Sequence, residues 1–308
     1  MAFQEDHNRN RRFIQNLISR QSKKIKVEPV FFKTELSLKT NKYLSEQKYL
    51  NFSKINQIIQ INYNQKFPYG YVLKNQLDEM VGFLGTIFSL REQKKINYKY
   101  CNLHTWIVNE TYRVNGYSLI LPLLNEDCQI TTFTPIKTLV TLYEKLGFKK
   151  LKMKYRIVFL PKSLLLKTNN EFELKEIDSV TEKKLNESEL KLFKDHQHLS
   201  CLKFLIINKH NQSKNIFIIA KVKKKKYFNV LDFLYVSNSY ELNQNWSNAS
   251  LLIANKFKIH FCSENFLYDS EASIPRKIFF TKDKEIDICV KNLPSKIKFD
   301  TLYSELIY

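Results

Sequence analysis

The order of apolar segments between residues 70 and 160 constrains the fold of this chain more than any other feature. Short runs rich in Val, Ile, Phe and Tyr alternate with two segments whose apolar residues recur at helical spacing. The predicted order is strand, strand, strand, helix, strand, helix, strand. A polar connection at residues 74–78 joins the first two strands and suits a hairpin. This order is typical of a mixed α/β sheet flanked by helices.

A polar stretch, Arg-Val-Asn-Gly-Tyr-Ser, separates the third strand from the first helix, which is predicted at residues 116–124. Pro122 lies inside this helix and indicates that it is short or kinked. The first N–H groups of a helix have no internal partner, and Gly116 would let an anion approach them. Arg113 adds a guanidinium that can bind phosphate oxygens. The stretch therefore predicts a phosphate-binding loop, although the pattern alone is common.

The second helix has predicted ends, and the glycines have an uneven distribution. Thr134 and Pro135 suit an N-cap and a first turn, and Gly147 suits the C-terminal end. All five glycines, at positions 70, 82, 85, 116 and 147, precede residue 150. The second half contains further predicted strands and a lysine-rich hairpin tip at residues 223–226. Without glycine, that half can hardly form a second loop of the same kind.

Composition and charge limit the function classes. A chain of 308 residues with 44% hydrophobic residues can fold as one large domain or two small ones. A net charge of +20 suits binding to nucleic acid or to an acidic membrane. The basic residues are mostly lysines that are spread along the chain, which makes nucleic-acid binding the weaker interpretation.

Cysteines and histidines give little sign of disulfides or metals. The five cysteines are far apart, which favours a reducing cytosol. His196 and His198 are interpreted as surface residues near a buried Cys201, and no metal site is predicted. A basic amphipathic helix at residues 8–22 is expected to pack on its own domain, with a membrane surface as the alternative. No secretory signal and no membrane-spanning segment are predicted.

Residues of about 70 to 155 resemble the GNAT superfamily of acyl-CoA-dependent N-acyltransferases. Arg113-Val-Asn-Gly116-Tyr-Ser118 is similar to the Gln/Arg-x-x-Gly-x-Gly/Ala motif of that family. Leu142-Tyr-Glu-Lys-Leu-Gly-Phe148 is similar to the Tyr-x-x-x-Gly-Phe ending of its fourth helix. Ser118 departs from the motif but keeps a small side chain.

The resemblance implies a GNAT-like α/β (α+β) fold, with a mixed, mostly antiparallel sheet flanked by helices. It also suggests two such domains, at residues 1–160 and 161–308, of which the second is degenerate. Acetyl-CoA or another acyl-CoA is the implied co-substrate, and no metal is implied.

The resemblance also implies which residues bind the acyl-CoA. In the family, the strand before the loop splays from its neighbour, and its backbone bonds the pantetheine arm, a position held here by Ile107, Val108 and Asn109. The following loop binds the pyrophosphate. Its residues here are Arg113, Val114, Asn115, Gly116, Tyr117 and Ser118.

For catalysis, the resemblance places Tyr143 where a family tyrosine often protonates the departing thiolate. A core tyrosine is the alternative. His104 and Glu110 are the base candidates, with a structural histidine and a solvated glutamate as the alternatives. A water chain in place of a base is also consistent with the family.

We therefore expect a cytosolic N-acyltransferase that acts on the amine of a small molecule, such as an amino sugar or a metabolite. The second half would shape the acceptor cleft or mediate pairing into a homodimer. One alternative is a catalytically silent GNAT-like binding or scaffold protein. A basic nucleic-acid-binding protein is the other.

Overall fold

The computed structural model describes residues 25–60, 63, 65–93, 96–160, 171–267, 272–275, 281–292 and 301–307. The helix predicted at residues 8–22 lies outside the described residues.

Within the described residues, twelve strands form one sheet. The strands are β1 (Lys26–Val30), β2 (Gly70–Lys74), β3 (Met80–Gln93), β4 (Ile96–Val108), β5 (Gln129–Thr132), β6 (Lys149–Phe159), β7 (Phe172–Glu176), β8 (Leu202–Asn208), β9 (Ile216–Lys224), β10 (Asn229–Val236), β11 (Phe261–Leu267) and β12 (Thr281–Lys291). The α-helices are α1 (Glu35–Ser45), α2 (Phe52–Ile59), α3 (Leu121–Leu124), α4 (Lys137–Lys145), α5 (Glu187–His196), α6 (Ser239–Gln244) and α7 (Trp246–Phe257).

The strand order is symmetric about the middle of the sheet. It runs β1-β2-β3-β4-β5-β12-β6-β11-β10-β9-β8-β7. Exchanging β1 with β7, β2 with β8, and so on to β6 with β12, gives the same order read backwards. Neighbouring strands pair antiparallel except for β4 with β5 and β10 with β11, which are parallel. The predicted mixed, mostly antiparallel sheet flanked by helices is therefore confirmed.

The two halves of the chain share the centre of this sheet. β12, from the end of the chain, lies between β5 and β6, and β6 lies between β12 and β11. Each half thus contributes one strand next to the other half's parallel pair. The division into domains at residue 160 stays a prediction. The sheet itself is not divided there, since β12 follows that residue in sequence but pairs with β5 and β6, which precede it.

Helices cover both faces of the sheet. On one side, which we call the front face, α3 and α4 pack on the first half and α6 and α7 on the second. The opposite side, the back face, carries α1, α2 and α5. The C-terminal segment, residues 301–307, also packs on the back face, where Leu302 and Tyr303 join a core that contains side chains from both halves. No described helix has both the length and the apolar character needed to cross a bilayer.

The helix predicted at residues 116–124 is wrong in type and extent. A 3-10 helix runs from Glu110 to Leu119, and α3 covers only Leu121–Leu124. Pro122 lies in the first turn of α3. It has no N–H and its ring would meet the carbonyl of residue 118, so one continuous α-helix cannot pass through it.

The predicted start of α4 is also wrong. Thr134 is not its N-cap, because the helix begins at Lys137 and Ile136 precedes it without a side-chain cap. The Thr134 hydroxyl instead donates to Glu305 Oε1 at 2.9 Å, across 171 positions of sequence. The other end is confirmed, since Gly147 follows the helix with φ 85°, in the left-handed region that glycine adopts most easily.

A close contact between β3 and β4 depends on a glycine. Gly85 pairs with His104, and a Cβ added to Gly85 would lie 2.3 Å from Cε1 of the His104 ring. Overpacking of this kind costs about 1–3 kcal/mol. Gly85 thus provides the space in which the imidazole is buried.

Gly85→Ala is therefore expected to lower the free energy of unfolding by about 1–3 kcal/mol, because the methyl group would overlap the imidazole. Gly82→Ala is the matched control on the same strand, since its added Cβ would have no contact shorter than 3.2 Å. Gly82→Ala should lower the free energy of unfolding by less than Gly85→Ala does. The double variant Gly85→Ala/His104→Ala should be more stable than the two single losses predict, because the clashing ring is gone. Additive losses in urea unfolding would contradict this account.

Candidate active site

The parallel pair β4 and β5 separates partway along β4. Pairing runs from Tyr100 with Gln129 to Asn102 with Thr131 and then stops. β4 continues to Val108, while β5 ends at Thr132. We call the opening between residues 103–108 and residues 132–134 the β4/β5 gap. The strand separation that the family resemblance implies is therefore present here.

A β-bulge in β4 lies at this gap. The pairing of β3 with β4 shifts so that Leu84 faces Trp106 and Gly85 faces His104, which leaves Thr105 as the extra residue. Thr105 has φ 47°, a left-handed conformation that is unusual for a β-branched residue and costs about 1–3 kcal/mol. Bulges bend a strand and re-aim its side chains. Nothing in the sequence marked Thr105 for this role.

The backbone of β4 beyond the bulge presents an edge to the gap. The N–H of Asn109 donates to the carbonyl of Val81 in β3 at 2.8 Å. Backbone groups alternate in direction along a strand, so those of Val108 and Trp106 point away from β3 and toward the gap. Residues 105–108 are partly exposed.

The three residues predicted to bind pantetheine therefore differ in their surroundings. Only Val108 turns its backbone groups toward the gap. The Asn109 side chain accepts a hydrogen bond from Tyr43 at 2.9 Å, and Ile107 packs against the core below α1 and α2. The sequence did not single out Trp106, whose backbone also faces the gap.

Tyr143 lies on the front-face side of the β4/β5 gap. Its ring contacts Trp106 of β4 edge-on, with centroids 5.6 Å apart. Its hydroxyl hydrogen-bonds to the side chain of Thr132, the last residue of β5. Burial raises the pKa of Tyr143 above its usual value, so the phenol keeps its proton at neutral pH. The phenol thus contacts both strands that bound the gap and is in the form of a proton donor.

The predicted phosphate-binding loop has a different geometry from the one expected. Residues 113–118 lie inside the 3-10 helix, in which each N–H bonds to the carbonyl three residues earlier. The space beside Gly116 is filled by β4, because a Cβ there would lie 3.1 Å from Val108 Cγ2. Ser118 is fully buried, Asn115 and Tyr117 are partly buried, and Val114 is exposed. The role of this loop in cofactor binding stays a prediction.

One cation of this loop faces solvent. Arg113 Nη1 lies 3.4 Å from Glu110 Oε1, and both side chains are mostly exposed. Such a surface ion pair is weak and can be displaced. Arg113 can therefore meet an anion, in competition with Glu110.

His104 is buried on the back-face side of β4. Its Nδ1 lies 2.9 Å from Thr105 Oγ1, and its Nε2 has no hydrogen-bond partner in the described part of the chain. Burial lowers the pKa of His104 to about 3, so the ring is neutral at physiological pH. An imidazole with so low a pKa is too weak a base to take a proton from an amine efficiently. Its catalytic role stays a prediction that this environment does not favour.

Sequence reasoning missed Glu305. This residue is on the back-face side of the gap, where its backbone N–H lies 3.4 Å from Asn102 Oδ1 and its carboxylate accepts from Thr134. Its other oxygen, Oε2, is buried and has no hydrogen-bond partner among the described residues. Burial raises the pKa of Glu305 to about 7. No local motif could have located Glu305, since its partners are far away in sequence.

The second half contains an equivalent separation, and residues 272–275 bond to β11 at the point where its pairing with β10 ends. β10 and β11 pair as far as Phe233 with Glu264, and β10 has a register shift just after that point. The Glu264 carboxylate accepts from the N–H groups of Ser273 and Ile274, at 3.1 and 2.8 Å. The Ser273 hydroxyl in turn bonds to Ser239 at the start of α6, at 2.7 Å. Residues 272–275 therefore link the end of the β10–β11 pairing, at Glu264, to the start of α6, which follows β10.

Cysteines and histidines make no metal cluster in the described residues. All five cysteines are buried and in the thiol form without disulfides. The prediction that His196 is a surface residue is wrong. It is fully buried at the end of α5, with Nδ1 2.8 Å from the Leu192 carbonyl and Nε2 3.2 Å from the Tyr63 hydroxyl.

Comparison with known proteins by sequence finds no matching family and no matching curated protein. Solved structures do match. A GCN5-related N-acetyltransferase from Anabaena variabilis is 10% identical, with a TM-score of 0.57 over 86% of this chain and 72% of that one. A probable N-acyltransferase from Enterococcus faecalis is 8% identical, with a TM-score of 0.56 over 86% and 72%. A GCN5-related N-acetyltransferase from Kribbella flavida is 9% identical, with a TM-score of 0.56 over 86% and 70%.

At identities this low, the similarity bears on the fold. It extends over most of the chain. The chain therefore has the fold of the GNAT superfamily.

Proposed function

We propose that this protein is an N-acyltransferase that moves an acetyl or other acyl group from acyl-CoA to the amine of a small molecule, such as an amino sugar or a metabolite. The observation that carries this proposal is the partly exposed end of β4, which β5 has left, beside the buried phenol of Tyr143. An extended ligand with amide groups can pair with such an edge as a further strand would. The pantetheine arm of CoA is a ligand of this kind.

The proposed position of the acyl-CoA follows from these contacts. Its amides would pair with the backbone groups of Trp106 and Val108, which would place the thioester in the β4/β5 gap. Its pyrophosphate would lie near Arg113, the exposed cation at the start of the 3-10 helix. Both groups would then bind to the same side of β4.

The proposed reaction uses Tyr143 as the acid. Attack of a neutral amine on the thioester carbonyl gives a tetrahedral intermediate, which breaks its C–S bond. The departing thiolate needs a proton, and the phenol of Tyr143 is protonated at neutral pH. Backbone N–H groups at the edge of β4 can stabilise the oxyanion.

The second half takes a supporting role in this proposal. Residues 272–275 bond to Glu264, where the pairing of β10 with β11 ends, and both Leu234 and Val236 at the end of β10 are buried. We therefore propose one acyl-CoA site per chain, in the first half, with the second half shaping the acceptor cleft. A cytosolic location fits the five buried thiols.

A catalytically silent GNAT-like protein is a second candidate, and the 3-10 helix favours it. The N–H groups expected to bind pyrophosphate are engaged within that helix. A protein of this kind would bind CoA weakly or without turnover. Release of CoA thiol in the presence of amines separates the two candidates.

Acetyl-CoA is expected to raise the melting temperature of the wild-type protein, because a ligand that binds the native state stabilises it. Arg113→Ala should weaken acetyl-CoA binding about tenfold, since a charge-assisted contact to phosphate is lost. Glu110→Gln should strengthen binding, because it removes the carboxylate that competes for Arg113. Isothermal titration calorimetry measures the acetyl-CoA affinity of the wild type and of both variants. Thermal unfolding measures the shift in melting temperature. No binding to the wild type would refute the proposed function, and equal effects of the two variants would refute the role of Arg113.

Tyr143→Phe is expected to lower kcat for thiol release about 100-fold, because the proton donor to the thiolate is removed. Acetyl-CoA affinity should change little. Tyr155→Phe is the matched control, since that phenol is partly buried and donates to Ser263 at 3.0 Å, outside the gap. Thiol release can be followed with a thiol reagent and glucosamine, spermidine or glycinamide as acceptor. An unchanged kcat for Tyr143→Phe would show that the phenol is only a core residue.

A further inference from the structure

The C-terminal segment brings an acidic group to the β4/β5 gap. Glu305 lies on the back face between the two strands that bound the gap, with Asn102 of β4 on one side and Thr134 after β5 on the other. Asn102 is itself fixed by Thr131, whose Oγ1 lies 3.2 Å from its Nδ2. Tyr143 contacts the same two strands from the front face. The gap thus has a carboxyl group on one face and a phenol on the other.

The Glu305 carboxyl group is incompletely satisfied. Oε1 accepts from Thr134, but Oε2 is buried and has no hydrogen-bond partner among the described residues. A buried polar atom without a partner is costly and indicates a function or a missing ligand. An ammonium group, which has three N–H donors, would satisfy this oxygen.

A second buried glutamate provides a comparison. Burial also raises the pKa of Glu264 to about 7. Its carboxylate accepts from the backbone N–H groups of Ser273 and Ile274, one on each oxygen. Of these two glutamates, only Glu305 has an unpartnered oxygen, and only Glu305 lies at the gap assigned to the thioester.

The charged and titratable groups around Glu305 come from three elements. Lys54 of α2 lowers its pKa, and Lys221 of β9 lies near it with Nζ bonded to the Leu306 carbonyl. The negative charge of Glu305 also contributes to the raised pKa of Tyr143 in α4. Burial outweighs these effects and sets the pKa of Glu305 at about 7, close to the value at which a general base works best at neutral pH.

We propose that Glu305 is the general base of the acyl transfer, taking a proton from the acceptor ammonium on the back-face side of the β4/β5 gap. This role rests on the proposed function. It gives the second half of the chain a direct part in catalysis, because Glu305 follows β12 in sequence.

The proton balance is complete without a further reactant. The Glu305 carboxylate takes one proton from R–NH₃⁺, and the nitrogen lone pair then forms the C–N bond to the thioester carbonyl. The C–S bond breaks, the sulfur takes a proton from Tyr143, and the nitrogen loses its second proton to restore the phenol through solvent. Glu305 releases its proton to solvent. The net products are the amide, CoA thiol and one proton.

The sign of the pH dependence follows from this role. A base must be deprotonated, so the rate should rise with pH and level off above the pKa of Glu305, with a midpoint of about 7. Thr134→Val removes a hydroxyl that stabilises the charged carboxylate. The pKa of Glu305 should then rise, and the midpoint should move about one unit to higher pH.

The test compares kcat/KM from pH 5.5 to 9 for the wild type and the variants Glu305→Gln, Thr134→Val and Glu264→Gln, with the amine that gives the fastest thiol release. Glu305→Gln should lower kcat about 100-fold and abolish the rise near pH 7, while acetyl-CoA binding by calorimetry stays within about twofold. Glu264→Gln should keep the wild-type midpoint even if its melting temperature falls. Thr134→Val covers the case in which Glu305→Gln does not fold.

The outcomes separate this inference from the proposed function. If the wild type neither binds acetyl-CoA nor releases thiol, the proposed function fails and the role of Glu305 fails with it. If the wild type is active but Glu305→Gln keeps its rate and midpoint, or Thr134→Val leaves the midpoint in place, Glu305 is not the base. If the midpoint of the pH profile moves only in the Glu264→Gln variant, Glu305 is likewise not the base.

Discussion

The rest of the site depends on the loss of pairing between β4 and β5 after Asn102. A strand edge inside a domain carries backbone groups that need partners, and the bulge at Thr105 directs those of Trp106 and Val108 into the β4/β5 gap. Regular pairing of β4 with β3 on both sides of the bulge holds Thr105 in its strained backbone conformation. This one departure from a regular sheet is the place at which the proposed roles of Tyr143, on the front face, and Glu305, on the back face, would meet.

The symmetric strand order places a parallel strand pair that separates in each half, but the surroundings of the two separations differ. In the second half, residues 272–275 bond to Glu264 of β11 and to Ser239 at the start of α6. In the first half, the end of β4 stays partly exposed. Because residues 301–307 pack on the back face against side chains from both halves, the end of the chain lies at the first-half gap. Both halves of the chain thus contribute residues to one candidate site.

Patterns local in sequence predicted much of the fold. The hairpin of β2 and β3, the strand β4, and the end of α4 at Gly147 all follow from short-range apolar spacing and glycine conformation. Long-range contacts caused the errors. Thr134 has the chemistry of an N-cap but bonds to Glu305, and His196 is polar but is buried by the packing of Tyr63 and Tyr303. At the site, Tyr143 was identified through a family motif, whereas Glu305 and Thr105 depend on tertiary contacts that no sequence spacing shows.

The central claim is that acyl-CoA binds along the end of β4 and nowhere along β10. Hydrogen–deuterium exchange with and without saturating acetyl-CoA tests it most directly, since an amide that bonds to the pantetheine arm exchanges more slowly. We expect slower exchange in a peptide that spans residues 103–109, which contains the amides of Trp106 and Val108. We expect no change in a peptide that spans residues 231–237 of the second half. Protection of the β10 peptide, or of neither peptide, would contradict it.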